Sequence, residues 1–107
     1  MEKSPQATHE QEDFSNRDLS SQDFSKKSFV GASFKNSRAV GVDFQESTFT
    51  DVDFSDSDLR NCNFSGSRFI RCKFDRAIVD GMTMHRCKIK RCSFVSVLFK
   101  KNRHMLH

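Results

Sequence analysis

Residues 44–64 read FQESTFTDVDFSDSDLRNCNF, with a large apolar side chain at every fifth position: Phe44, Phe49, Phe54, Leu59 and Phe64. An amphipathic helix repeats its apolar residues every 3.6 positions and a half-buried strand every two, so neither periodicity accounts for this stretch. The step of five extends in both directions. Upstream it meets Ala39, Phe34, Phe29, Phe24, Leu19 and Phe14; downstream it meets Phe69, Phe74, Val79, Met84, Ile89, Phe94 and Phe99. All 18 positions are apolar in a chain that is only 36% apolar, and all 12 Phe lie on them. The next step falls on His104, where the pattern ends.

A second track runs two residues earlier. From Ala32 it reads Ala32, Ser37, Val42, Ser47, Val52, Ser57, Cys62, Ser67, Cys72, Ala77, Met82, Cys87, Cys92 and Val97, all small except Met82. Each five-residue unit therefore sends one large and one small side chain inward and leaves three for solvent. Before Ala32 the small track carries Glu12, Arg17, Gln22 and Lys27. Long polar side chains do not fit a filled interior without partners, so residues 13–30 read as a terminal coil, whose polarity is expected of a capping repeat.

Units such as SDSDL, NCNF, SGSRF and IRCKF resemble the pentapeptide-repeat family, over about residues 13–102. The resemblance implies an all-β fold, a right-handed quadrilateral parallel β-helix with four units per coil and about four to five coils. Residues 1–12 are then expected to be a flexible tail, 13–102 the β-helix, and 103–107 a C-terminal cap or tail. Four units per coil stacks residues 20 apart. Phe14, Phe34, Phe54, Phe74 and Phe94 form one ladder of rings. On the outer columns Asp18–Arg38–Asp58 and Arg60–Asp80–Lys100 alternate in sign, and Asp51, Asp53 and Asp56 fall beside Arg71, Lys73 and Arg76. Opposite charges across a ladder help by about 0.2–1 kcal/mol and like charges oppose it. Arg71–Arg91 and Arg68–Lys88 are like-charged neighbours.

The four cysteines, Cys62, Cys72, Cys87 and Cys92, contain no C-x₂-C pair, and all four sit on the small inward track. They read as structural core, buried reduced thiols that act as small hydrophobes, with no metal and no cofactor implied. Cys72 and Cys92 alone stack near enough to oxidise. His85 follows a centre residue and is expected in solvent; His9, His104 and His107 lie in terminal segments. No nucleophile–base set, paired-carboxylate cleft or phosphate loop is visible, so no enzyme is expected. Gly31, Gly41, Gly66 and Gly81 all fall two residues after a centre, at corners, which is a turn role.

Charge is distributed unevenly. Residues 1–58 carry 12 acidic and 6 basic side chains, net −6; residues 59–107 carry 2 and 12, net +10, and the chain +4. Arg71, Arg76, Arg86, Lys88, Lys90 and Arg91 form a candidate partner-binding surface, for a protein first, with nucleic acid or an anionic surface as alternatives. Ile78, Val95, Leu98, Phe99, Met105 and Leu106 form a candidate cap or homodimer contact, because an open β-helix end needs cover. The absence of an apolar leader among residues 1–12, and of any apolar run of about 20 residues, leads to a cytoplasmic expectation. The expected function is a non-catalytic scaffold that binds a macromolecular partner. The alternatives are a DNA mimic that protects gyrase, as in quinolone-resistance relatives of the family, and a secreted bacterial effector. Gyrase-protecting relatives are acidic rods, and the basic C-terminal half departs from them.

Overall fold

The computed structural model describes residues 7–99. Five short strands, β1 (Ala7–Glu10), β2 (Lys27–Val30), β3 (Thr48–Thr50), β4 (Arg68–Ile70) and β5 (Lys88–Lys90), form one parallel sheet in chain order. Each strand pairs with the next at an offset of 20 residues, as in Phe29↔Phe49 and Phe49↔Phe69. The other three sides are held by single bridges at the same offset: Ser33↔Asp53↔Lys73, Arg38↔Asp58↔Ile78 and Asp43↔Asn63↔Thr83. Twenty residues per turn is four units per coil, which the five-residue period alone does not specify.

The corners explain how a polar sequence makes this path. Every residue two after a centre has positive φ, from Gln11 (54°) to Ser96 (56°), and four of these positions are the glycines. In the turn Phe54–Ser57 the Ser57 N–H donates to the Phe54 carbonyl at 3.3 Å, and Asp56 between them has φ 59°. A β-turn whose third residue alone has positive φ is of type II pattern. Between coils, the centre N–H donates onward: Phe34 to Asp53 O, Phe54 to Lys73 O and Phe74 to Ser93 O, each at 2.7 Å.

The interior is a set of ring ladders. Phe34, Phe54 and Phe74 stack at 4.9 and 5.0 Å with planes within 14°. Neighbouring ladders meet edge to face, as Phe54 and Phe64 do at 5.7 Å and 84°, a favoured aromatic arrangement. The small track does more than fill space. Ser47 and Ser67 donate to the carbonyls of Phe24 and Phe44 at 3.0 and 2.8 Å, and Cys62 contacts the Ala39 carbonyl through Sγ at 2.7 Å. Small donors thus satisfy buried carbonyls that would otherwise be costly.

Two expectations are corrected. The stretch assigned to a tail contains β1, because one further step of five back from Phe14 lands on His9. The imidazole takes the centre place, stacked on Phe29 at 5.0 Å and 17°. Its Nδ1 lies 2.5 Å from Glu12 Oε1, while its Nε2 is buried with no hydrogen bond among the described residues. At the other end, Phe94 is 38% and Phe99 51% exposed, and Cys87 and Cys92 are half-buried. They occupy the outermost described coil, so nothing described stacks above them. Phe14, Phe34, Phe54, Phe74, Cys62 and Cys72 are buried as expected. In the polar first coil the Arg17 guanidinium stands 6.0 Å over the Phe14 ring. Residues 103–107, Met105 and Leu106 included, lie outside the described residues.

Candidate partner-binding surface

The acidic half of the rod uses its carboxylates locally. Asp13, Asp18, Asp23, Asp43, Asp53 and Asn63 each precede a centre and accept the backbone N–H two residues on, at 2.8–3.0 Å. These Asx turns hold the corners. They also hold the Asp13, Asp18 and Asp23 carboxyls below their ordinary range, through hydrogen bonds to Ser15, Ser20 and Ser25. The signal was present in the sequence as Asp or Asn directly before a centre, followed by Ser in every case but Gln45, and reading the outward positions only for charge missed it.

From Arg68 onward the same pre-centre positions carry Arg68, Lys73, Ile78, Thr83, Lys88, Ser93 and Leu98, and the surface turns basic. The six candidate residues divide into two groups. Arg71 grips Asp51 with Nε and a terminal nitrogen at 2.8 and 3.0 Å, and Arg76 grips Asp56 identically. Both arginines are neutralised, and both aspartates are held below their usual range by those arginine hydrogen bonds. Asp58 bonds Arg60 two residues on at 2.6 Å, rather than Arg38, which lies 3.7 Å from Asp18. Burial pushes the Asp58 carboxyl up, but the Arg60 hydrogen bonds outweigh it and leave it lowered.

Arg86, Lys88, Lys90 and Arg91 remain exposed. Lys88, Lys90 and Arg91, together with Arg68 beside Lys88, have no acidic partner within 4 Å among the described residues. These four occupy the sheet side of the last two coils. Ile70 and Lys90 are shared by two adjoining surface hollows there: one of about 460 Å³ bounded by Arg68, Lys88 and Ile89, and one of about 280 Å³ bounded by Arg71 and Arg91. Ile78 pairs with Leu98, and Val95, Leu98 and Phe99 of the proposed cap contact are exposed.

The interior thiols are held in their protonated form. The Cys62 and Cys72 thiols are pushed up by burial to about 12, and burial also raises Cys87. A thiol at such a value is almost wholly protonated at neutral pH and a poor nucleophile or ligand. Among the described residues no three His, Cys, Asp or Glu gather as a metal site, and no helix is long and apolar enough to cross a membrane.

Residues 10–84 match the family described as pentapeptide repeat region. The chain belongs to the pentapeptide-repeat family. Its fold is the family's right-handed quadrilateral β-helix. A pentapeptide-repeat protein from the Arabidopsis thaliana thylakoid lumen is similar in structure, with a TM-score of 0.75 and 27% identity over 92% of this chain and 74% of that one. QnrB1, a plasmid-mediated fluoroquinolone resistance protein, superposes with a TM-score of 0.67 at 20% identity over 84% of this chain. The present pentapeptide-repeat chain spans about half the length of QnrB1, at 49%, and the likeness is one of fold. No curated protein matches the sequence.

Proposed function

We propose that this pentapeptide-repeat chain is a non-catalytic scaffold that binds a macromolecular partner, a protein in the first instance, through its polar sides. Arg68, Lys88, Lys90 and Arg91 are the centre of contact. The observation that carries this reading is their shared position on one sheet side, with no acidic neighbour in ion-pair range among the described residues. Unpaired like charges lower local stability and attract an oppositely charged partner. The non-catalytic part rests on the core: the inward side chains are committed to stacking and to satisfying carbonyls, and the buried thiols are protonated. The gyrase-protecting alternative finds less support, because the aspartates of the acidic half are engaged in corners and arginine pairs.

Affinity capture from a lysate of the source cell, with wild type beside an Arg68→Glu/Arg91→Glu variant, tests the proposal. A partner retained by wild type and lost by the variant is the expected result. Equal capture by both, or none by either, would overturn it.

A further inference from the structure

β5 is the last strand of the sheet among the described residues, and all three of its residues are exposed. Ile89 is 44% exposed, while Phe29, Phe49 and Phe69, at the same place in β2, β3 and β4, are fully buried. The backbone of this side also points outward past β5. Along the corner that follows the strands, Gly31 donates to Thr50 O, Asp51 to Ile70 O and Arg71 to Lys90 O, at 2.8–2.9 Å. Arg91 is next in that series, and its N–H has no acceptor among the described residues. An exposed strand edge with free donors is a template for one more strand.

The chemistry of that strand follows from its neighbours. Lys88 and Lys90 stand on the outer surface of β5, either side of the inward Ile89. Beneath Lys88 lies Arg68, so the ladder sets like charges one above the other. On two other columns of this rod a cation is satisfied by a carboxylate one coil away, as Arg71 is by Asp51 and Arg76 by Asp56. A parallel segment reading acid–apolar–acid would place carboxylates over Lys88 and Lys90 and an apolar side chain over Ile89.

Resting on the partner-binding reading above, we propose that the edge of β5 receives an extended peptide of alternating acidic and apolar residues as a sixth strand. Backbone hydrogen bonds supply affinity in such strand addition, and alternate side chains supply specificity. A nucleic acid brings anionic charge but no amide ladder to complete the edge.

The test uses the full chain and a fluorescently labelled nine-residue peptide with Glu-Ile-Glu at its centre. Controls are a peptide of the same composition with its acids in one block and an oligothymidylate of equal charge. The alternating peptide should bind at least tenfold more tightly than the block peptide, and should slow amide exchange at Ile89 and Arg91. Lys88→Glu/Lys90→Glu should weaken it at least tenfold and create binding of the Lys-Ile-Lys counterpart; Lys88→Gln/Lys90→Gln gives the loss alone should the reversal fail to fold. Equal affinity for both acidic peptides, or binding without slowed exchange at β5, overturns the proposal. Binding of the oligothymidylate alone also overturns it and leaves the basic-surface reading standing. Dimers that exclude the peptide overturn it in favour of a second copy at this edge. If no probe binds and the capture experiment also shows no difference, both readings fail.

Discussion

Asp51 and Asp56 each accept two hydrogen bonds from an arginine one coil away, and the geometry sets their pH behaviour. Their carboxyls titrate lower in the folded chain than in the unfolded one. The contribution is thus fully present above the unfolded value, about pH 3.9, and is lost as pH falls through the lower folded value. Urea unfolding at pH 7 and pH 2.5 should show Asp51→Asn/Asp56→Asn losing less stability between the two than wild type does. Both pairs are exposed, so solvent and salt screen them and their coupling at neutral pH should be small. His9 offers a different test. Its Nε2 is buried without a hydrogen-bond partner among the described residues, and a phenyl ring would keep the stack on Phe29 without that polar atom. His9→Phe should therefore raise the urea midpoint; a lower midpoint would show that the Glu12 contact matters more. The corner glycines divide by what lies over them. Among the described residues a Cβ at Gly41 meets only Ser21 Oγ at 3.6 Å, whereas at Gly81 it runs into Asn61 Oδ1. Gly41→Ala should cost about 1 kcal/mol for the left-handed backbone. Gly81→Ala should cost more, and Asn61→Ala should remove the excess in the double variant.

A coil draws its stability from the coil on either side, and position along the rod decides what a ring is worth. Phe54 stacks on both Phe34 and Phe74, and no part of it is exposed. Among the described residues Phe94 stacks only on Phe74, and it keeps 38% of its surface in solvent. Phe54→Ala should cost about 3–5 kcal/mol, and Phe94→Ala a fraction of that; equal losses in denaturant titrations would contradict the end-coil exposure. The sequence fell short for the same reason. The centre track identified which side chains turn inward, from Phe14 to Phe99, because that depends on local geometry. Burial at the ends depends on what stacks there, which a period does not encode. His9 escaped notice because the track was defined by apolarity, while the slot asks for a flat ring. The six cations of the candidate surface were legible as outward positions, and the four-unit coil that the family resemblance implies already set Asp51 and Asp56 beside Arg71 and Arg76. That the arginines grip those carboxylates, while Lys88, Lys90 and Arg91 have no acidic partner within 4 Å among the described residues, depends on side-chain geometry that a period does not encode.

Across the whole molecule, acid and base are segregated along the axis, and the two ends differ: Arg17 covers the first coil, while Ile89, Phe94, Val95, Leu98 and Phe99 are exposed on the last. Binding to the basic coils should therefore weaken as salt rises, since exposed charges separated by more than about 8–10 Å are largely screened at physiological ionic strength. An affinity unchanged between 50 and 500 mM salt would argue for the apolar end as the contact. The 20-residue register also governs how such a rod can change in length. One inserted residue breaks every ladder beyond it. Five inserted residues keep each side chain facing in or out but turn all that follows by a quarter revolution. Arg68 and Arg71 would then leave the side that holds Thr48 and Asp51. Twenty restore the alignment and lengthen the rod by one storey, about 4.8 Å. A gene for this protein can thus be extended in steps of one unit or one storey, the first re-aiming the basic surface and the second carrying it further from the acidic end without turning it.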